Sequence, residues 1–387
     1  MKEVYLDNAA TTRASDKAIA TIHTVLEKDY GNPSSLHRMG QAAEKYMSRS
    51  RKQLADILMA DPESIYFTSC ATESTATALR GAAQRLRHRG KHILTSQGEH
   101  AATRENLKYL AAQGYEIETL EQDASGRILL EDLSSKLRPD TILVTCLHVN
   151  NETGCIQPVD QMGPLIHEKQ KDCLFHVDAV QSFAKYPVFP KAWQIDLMST
   201  SAHKINGPKG IGFLYMRRQL SLPPLLVGGG QERHFRSGTE NVPFIAAFGE
   251  AAQEMWEAHE TLTARMQTLK EETLERLQRE LEAVTVNGPD VSEGAAHILN
   301  LRIEGVRSEV LLHALEDYGV YVSSGSACSS NKPGEKSPTL YALGCSAQAM
   351  DESVRISFGR YNTEADVEAL VSAMKTVVPM LRRFVRK

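Results

Sequence analysis

The sequence lacks the features that would point to a membrane, a secreted or a nucleic-acid-binding protein. No segment approaches the ~20 apolar residues that a helix needs to cross a bilayer, and residues 1–7 lack the apolar core of a signal peptide. The net charge is −4, which argues against a polyanion as the main ligand. We therefore expect a cytoplasmic protein that has neither a membrane nor a nucleic acid as a partner.

Cysteine is scarce, and its spacing does not indicate a disulfide framework or a metal site. The sequence has no C-x-x-C pair and no H-E-x-x-H or similar ligand spacing, so we predict no metal. In a chain of 387 residues, scattered cysteines are typical of reduced thiols in a cytosolic protein, and most should be buried. The six cysteines are Cys70, Cys146, Cys155, Cys173, Cys328 and Cys345.

Short apolar runs alternate with amphipathic helical patterns between residues 65 and 216. The predicted strands are Ile65–Thr68, His92–Thr95, Glu116–Leu120, Thr141–His148, Leu174–Asp178, Leu197–Ser201 and Gly212–Met216. The helical patterns include Thr75–Arg87, Thr103–Ala112 and Gln161–Lys171. This alternation predicts an α/β fold with a mostly parallel seven-stranded sheet. In such sheets, ligands bind at the carboxyl ends of strands.

The chain after this region predicts a smaller α+β unit. A long helix, about Phe244 to Glu282, leads out of the large unit. The predicted elements that follow are strand Ala296–Ile303, helix Ser308–Tyr318, strand Val320–Ser323, strand Val354–Phe358 and helix Glu364–Arg383. We expect a large domain of residues 15–255 and a small domain of residues 1–14 and 256–387, with Asp7–Thr12 as a loop.

Lys204 is the residue that first suggests a cofactor. It follows the apolar run Ile195–Met198 and stands in a glycine-containing turn. Because desolvation disfavours the ammonium form, such a lysine tends toward a neutral, nucleophilic amine. Asp178 ends another apolar run. An amine, a distant carboxylate and small phosphate-sized donors suggest pyridoxal phosphate (PLP), where a lysine forms the Schiff base and an aspartate keeps the ring nitrogen protonated.

Three further segments at strand ends could complete such a site. Residues 69–74 follow a predicted strand and begin a helix. The free N–H groups of this turn could bind an anion, or the turn could be a plain Ser/Thr N-cap. His100 at a strand-to-helix junction could stack on a flat ring and act as an acid-base catalyst, although a capping or core histidine fits equally. Asn150 and Asn151 could orient a substrate carboxylate or a ring oxygen, or form a turn.

The most unusual cysteine is Cys328, which lies among small polar residues in a loop of about residues 323–337. An accessible thiol in such a loop can become a thiolate and attack, whereas a buried one is inert. Arg355, on an alternating strand, could bind a carboxylate bidentately. The glycine-rich stretch that contains Gly228–Gly230 and Arg236–Thr239 could reach a phosphate or be a flexible loop.

Together these segments resemble the cysteine desulfurases of the NifS/IscS type, which are fold-type I PLP enzymes related to the class-V aminotransferases. The resemblance runs nearly end to end, and residues 325–329 are similar to the long-loop subgroup. The motifs that carry it are Tyr5–Thr12, Gly31–His37, Phe67–Ser74, Glu99–His100, Val149–Glu152, His176–Ser182, Ser201–Lys204, Arg236–Thr239 and Gly325–Ser329.

The resemblance implies a role for each matching residue. Lys204 would carry the cofactor, Asp178 would pair with its ring nitrogen, Gln181 would bond its hydroxyl group, and His100 would stack on the ring. Ala71, Thr72, Ser201 and His203, with Thr239 from the other subunit of a homodimer, would hold the phosphate. Asn151, also counted among the cofactor contacts, and Arg355 would bind the carboxylate of L-cysteine. Cys328 would take the sulfur as a persulfide, leave alanine, and deliver the sulfur to an acceptor protein.

The sequence departs from the family pattern at two positions, and several alternative functions remain open. Cys70 stands where the family usually has glycine, and Cys155 replaces an aliphatic residue. The alternatives are a selenocysteine lyase, a PLP aminotransferase and a sulfur-carrier or scaffold subunit without activity. The acceptor could belong to iron–sulfur cluster assembly, tRNA thiolation or thiamine synthesis.

Overall fold

The computed structural model describes residues 3–324 and 337–383. Its strands are β1 (Val4–Tyr5), β2 (Ile65–Thr68), β3 (His92–Thr95), β4 (Glu116–Thr119), β5 (Thr141–Leu147), β6 (Leu174–Asp178), β7 (Leu197–Ser201), β8 (Gly212–Met216), β9 (Val284–Val286), β10 (Ile298–Ile303), β11 (Val320–Tyr321), β12 (Ser323–Ser324) and β13 (Ser353–Ser357). Its α-helices are α1 (Asp16–Glu27), α2 (Arg38–Ile57), α3 (Ala71–Leu86), α4 (Ala101–Ala111), α5 (Leu130–Lys136), α6 (Val159–Lys169), α7 (Val242–Glu257), α8 (His259–Glu280), α9 (Ser308–Glu316), α10 (Pro338–Ala342), α11 (Ala347–Asp351) and α12 (Glu364–Arg382).

A seven-stranded sheet forms the centre of the larger part of the molecule, in the order β2-β8-β7-β6-β5-β3-β4. Neighbouring strands from β7 through β4 pair in parallel, whereas β8 is antiparallel to both β7 and β2. All seven predicted strands take part, and their ends agree within one residue. Every residue of β3, β5, β6, β7 and β8 is buried, as expected for strands covered on both faces by helices. The predicted mostly parallel α/β fold is confirmed.

A second sheet lies in the C-terminal part of the chain. It is antiparallel, in the order β12-β13-β10-β9, and β1 pairs in parallel with β11 nearby. The hydrophobic core at this sheet combines Val4 and Leu6 with residues between 266 and 378. The N-terminal strand therefore packs with the C-terminal elements. Several predicted bounds shift: the strand predicted from Ala296 begins at Ile298, the strand predicted as Val354–Phe358 is Ser353–Ser357, and the helix predicted to Tyr318 ends at Glu316. The strand predicted as Val320–Ser323 is split into β11 and β12.

The single long helix predicted from Phe244 to Glu282 is wrong. The structure has two helices, and Ala258 (φ −105°, ψ 4°) separates them. The break follows from packing, because α7 buries Phe248 and Met255 in the core at the large sheet. Helix α8 instead buries residues such as Leu269 in the core at the second sheet.

Helices α1 and α2 were not predicted. Helix α2 is strongly polar and buries only a narrow stripe that includes Ala43, Met47, Ser50 and Leu54. These residues recur every three to four positions and so share one face of the helix, but few of them are large and apolar. The amphipathic pattern of α2 is therefore weak in the sequence. Among the helices in the described ranges, none has both the length and the apolar composition that a membrane span requires.

Candidate active site

A cavity of about 470 Å³ lies at the carboxyl ends of the central strands. Its walls include the last residues of β5, β6 and β7 (Leu147, Asp178 and Ser201) and the first turn of α3. This is the edge of a parallel sheet at which ligands are expected to bind. The predicted site residues that line it are Ala71, Thr72, His100, Asn151, Asp178, Gln181, Ser201, His203, Lys204 and Arg355.

Lys204 ends a short 3-10 turn, Ala202–Lys204, that directly follows β7. Its Nζ atom donates hydrogen bonds to the carbonyl oxygens of Ala9 (2.7 Å) and Ala10 (2.5 Å). The N-terminal segment therefore forms the wall of the cavity that faces the lysine amine.

Asp178 supplies a buried carboxylate at the end of β6 and is 3% exposed. Its Oδ1 atom accepts a hydrogen bond from the backbone N–H of Val180 at 3.0 Å. Burial raises the pKa of Asp178 to about 6, and the Val180 hydrogen bond and the charge of Lys204 oppose this rise. A cationic group in the cavity would stabilise this carboxylate.

His100 and His203 are neutral at pH 7. Burial is the main cause that lowers the pKa of His100 to about 4 and that of His203 to about 3, and the charge of Lys204 adds to both shifts. The Nδ1 atom of His100 accepts the backbone N–H of Ala102 at 3.1 Å, so the hydrogen-bond network assigns the ring proton to Nε2. His100 caps helix α4 and lines the cavity at the same time.

The first turn of α3 is open to an anion. Its N-cap is Cys70, whose side chain makes no capping bond in the described part of the chain, so the interpretation as a plain Ser/Thr N-cap is wrong. Uncapped N–H groups at a helix start attract anions such as phosphate. A Cβ atom on Gly212 would lie 2.5 Å from the Thr200 oxygen and 2.9 Å from the Cys70 carbonyl carbon. Glycine at this position therefore lets β8 approach the turn closely.

The two neighbouring asparagines differ in position. The side-chain oxygen of Asn150 accepts the N–H groups of Glu152 (2.9 Å) and Thr153 (3.0 Å), so Asn150 forms the turn. Asn151 lines the cavity, and its backbone oxygen accepts a hydrogen bond from Nη1 of Arg355 at 2.9 Å. Only one of the two predicted amides is therefore placed to contact a ligand.

Gln181 connects the cavity to a buried histidine. Its Nε2 atom donates to the oxygen of Ala9 at 2.9 Å. Its Oε1 atom lies 3.2 Å from Nε2 of His297, which is fully enclosed. The predicted contact of Gln181 with a ligand would thus be made by a side chain whose orientation is already fixed.

Of the predicted site residues that the structure describes, Thr239 does not line the cavity. Thr239 lies in a separate groove of about 180 Å³, which Ser69 and Arg236 also line. Cys328 lies outside the described residues, as does most of its predicted loop.

The sequence analysis missed the contributions of Asp7, Ala9, Ala10 and Cys70 to the cavity. The first three belong to the motif Tyr5–Thr12, which carries part of the family resemblance and is predicted to be a loop, but to which the sequence analysis gives no role in the site. The position of Asp7 in that motif was the available signal.

Comparisons with known proteins agree with this geometry. The profile of the aminotransferase class-V family matches residues 4–370. A "NifS/IcsS protein homolog" from Lactobacillus delbrueckii is 40% identical over 377 residues, covering 97% of each chain. "Cysteine desulfurase IscS" from Vibrio atlanticus is 41% identical over 390 residues, covering 98% of this chain and 93% of the relative.

Solved structures give the same result. A "NifS-like protein" superposes with a TM-score of 0.92 at 34% identity and covers 98% of this chain and 100% of its own. An apo cysteine desulfurase from Thermococcus onnurineus superposes with a TM-score of 0.87 at 27% identity, covering 98% and 95%. The predicted resemblance is confirmed: the chain belongs to the aminotransferase class-V family, among relatives named as NifS/IscS-type cysteine desulfurases.

Proposed function

We propose that this protein is a PLP-dependent cysteine desulfurase, which converts L-cysteine to L-alanine and transfers the sulfur to an acceptor. The observation that carries the proposal is the meeting of Lys204, Asp178 and the uncapped start of α3 in one cavity. Relatives at about 40% identity over nearly the full length are named cysteine desulfurases.

The cavity fits this cofactor by its own chemistry. Lys204 supplies an amine, Asp178 supplies a buried carboxylate for a protonated ring nitrogen, and the start of α3 supplies N–H groups for a phosphate. The volume of about 470 Å³ is within the range of small-molecule sites.

The residues of the cavity would divide the work of holding the cofactor. Lys204 would bind it covalently, Asp178 would pair with its ring nitrogen, Gln181 would contact its hydroxyl group, and His100 would stack on its ring. The phosphate would be held by Ala71, Thr72, Ser201 and His203, and by Thr239 of a second copy of the chain, and Asn151 is also a proposed cofactor contact. When bound, PLP would supply an electron sink for the charge that develops on the substrate.

Arg355 and Asn151 would orient the substrate through its carboxylate, since the guanidinium group of Arg355 lies in the cavity wall. The thiolate of Cys328 would then attack the substrate sulfur. A sulfur–sulfur bond forms, the carbon–sulfur bond breaks, and its electron pair stays with the carbon, which takes up a proton to give alanine. The persulfide on Cys328 would pass the sulfur to an acceptor, as in iron–sulfur cluster assembly or tRNA thiolation.

Further parts of the proposal concern organisation and surroundings. We propose a large domain of residues 15–255 and a small domain of residues 1–14 and 256–387. Separate hydrophobic cores at the two sheets support this division. We also propose a homodimer that works in the cytoplasm. The five cysteines that the structure describes are free thiols, which is compatible with a reducing compartment.

The test is to incubate the protein with L-cysteine, PLP and a thiol reductant and to measure alanine and sulfide. Equal amounts of both products are expected, with none from Lys204→Ala. Cys328→Ser should keep the absorbance of the bound cofactor but lose sulfide release. Turnover of selenocysteine but not cysteine would instead indicate a selenocysteine lyase, and turnover that requires an α-ketoacid would indicate an aminotransferase.

A further inference from the structure

We propose that Asp7 is a built-in counter-ion of Arg355 that weakens and thereby tunes the binding of the substrate carboxylate. The proposal rests on the proposed function in one respect, namely that the ligand is an amino acid. It gives a specific role to Asp7, a residue of the N-terminal segment for which the proposed function names no role.

The ion pair joins a buried arginine to a partly buried aspartate, and its geometry is good. Nη2 of Arg355 donates to Oδ1 of Asp7 at 2.8 Å, and the two side chains are 6% and 22% exposed. Nη1 of Arg355 is bound at 2.9 Å to the backbone oxygen of Asn151. Both terminal nitrogens of the guanidinium group are therefore engaged, one of them by a carboxylate of the protein itself.

The backbone holds Asp7 against the strand that carries Arg355. The next two residues bond to Ser357 on β13: Asn8 N–H donates to its backbone oxygen at 3.3 Å and Ala9 N–H to its hydroxyl oxygen at 2.9 Å. The carbonyl oxygen of Asp7 accepts the N–H of Ala10 at 3.0 Å. These bonds fix the carboxylate of Asp7 beside the guanidinium group.

Arg355 keeps further donors, because within the described residues only two of the five N–H groups of its guanidinium group are engaged by Asn151 and Asp7. Its Nε atom is buried and has no hydrogen-bond partner among residues 3–324 and 337–383. A buried donor without an acceptor is costly, so a ligand oxygen that reached this atom would be strongly favoured. Arg355, which lines the cavity, therefore retains N–H groups that no described residue binds, while its charge is already balanced by Asp7.

The charges of the cavity explain why such balance is useful. Among the described lining residues, Lys204 and Arg355 are opposed by Asp178 and Asp7, and the two histidines are neutral. Without Asp7, Arg355 would attract any carboxylate, including that of the product alanine. Binding that is equally strong for substrate and product does not speed the reaction, because only interactions specific to the transition state raise kcat. Asp7 would limit this uniform binding.

A purely structural role makes a different prediction. If Asp7 only fastened the N-terminal segment to β13, its loss would disturb the whole cavity wall. Ligands with and without a carboxylate would then be affected to the same degree. The ratio of the two affinities separates the two roles.

The experiment compares Asp7→Asn with the wild-type holoenzyme by calorimetric titration with L-alanine and with ethylamine, which lacks the carboxylate. Asp7→Asn keeps an oxygen for Arg355 but removes the charge. We expect L-alanine to bind at least about fivefold more tightly, the factor for unit charges about 4 Å apart even at the dielectric constant of water. Ethylamine binding should be unchanged. Asp7→Glu, which retains the charge, should keep the wild-type ratio.

The matched control is Asp172→Asn, because Asp172 forms an ion pair with Arg89 on the surface. It should leave both affinities unchanged. If Asp7→Asn does not fold, Asp7→Ser provides the same comparison. Equal changes for the two ligands, weaker alanine binding, or no alanine binding by any of the proteins would overturn the proposal. Failure to release sulfide from cysteine would contradict the proposed function, but the alanine-to-ethylamine ratio would still be measurable.

Discussion

Replacing Glu99 with glutamine is expected to stabilise the protein by an amount that grows with pH. Glu99 is 2% exposed, and its Oε1 atom accepts hydrogen bonds from Ser96 Oγ (2.5 Å) and from the backbone N–H of Leu147 (2.9 Å). Its Oε2 atom is buried without a partner in the described part of the molecule. Burial is the main cause that raises the pKa of Glu99 to about 8, the charge of Asp178 adds to the rise, and both hydrogen bonds oppose it.

The sign and the size follow from proton binding. Between pH 4.5, the ordinary pKa, and about 8, the unfolded chain loses the Glu99 proton while the folded protein keeps it. The folded protein therefore loses stability as the pH rises from 4.5 to about 8, and ionisation of Glu99 causes no further loss of stability at higher pH. A shift from 4.5 to about 8, at about 1.4 kcal/mol per pH unit, corresponds to about 5 kcal/mol. Glutamine cannot ionise, so it removes this cost.

The assay is urea unfolding of the wild type and of Glu99→Gln at about pH 5, 6.5 and 8. The difference in unfolding free energy should be small at the lowest pH and reach several kcal/mol at the highest, with about 5 kcal/mol as its limit. Glu131→Gln, at an exposed glutamate of α5, is the control and should show no such trend. A difference that is independent of pH, or that shrinks as pH rises, would refute the reasoning.

Three further predictions concern the cavity and its surroundings. Gly212→Ala should weaken cofactor binding and destabilise the protein by about 2 kcal/mol, because the added Cβ would press on Thr200 and the Cys70 turn. Fluorescence titration measures the cofactor affinity, and an unchanged affinity would contradict this account of the turn. Asp178→Asn should weaken cofactor binding at least about tenfold, since it loses a charge-assisted bond, and an unaltered absorbance titration would argue against the ring-nitrogen contact. Burial lowers the pKa of Lys185 to about 7 from the ordinary value of 10.5, so between these two pH values the unfolded chain binds more protons than the folded protein. Lys185→Met should therefore stabilise the protein most at and below pH 7 and progressively less up to pH 10.5. A gain in the urea midpoint that increased with pH would contradict this prediction.

The large sheet could be predicted from the sequence because its strands are short apolar runs, bounded by polar residues, that alternate with helices. The break in the long helix could not be predicted in the same way. Residues 256–259, Trp-Glu-Ala-His, contain neither proline nor glycine. The chain leaves the helix there because α7 and α8 pack into different hydrophobic cores, which only the three-dimensional structure reveals.

Much of the candidate site was also predictable, because its residues follow the ends of buried strands. Asp178 ends β6, and Lys204 lies three residues after the end of β7. The contribution of the N-terminal segment could not be predicted, because Asp7 and Arg355 contact each other in the fold but are separated by most of the length of the sequence. The roles given to individual residues, including Thr239 and Cys328, stay predictions.

The most direct test of the proposed chemistry is a single turnover without reductant, followed by mass spectrometry of the peptide that contains Cys328. The account predicts one additional sulfur atom on Cys328 for each alanine formed from L-cysteine, and neither product with Lys204→Ala. Alanine without protein-bound sulfur, or the additional sulfur on another cysteine such as Cys70, would contradict it.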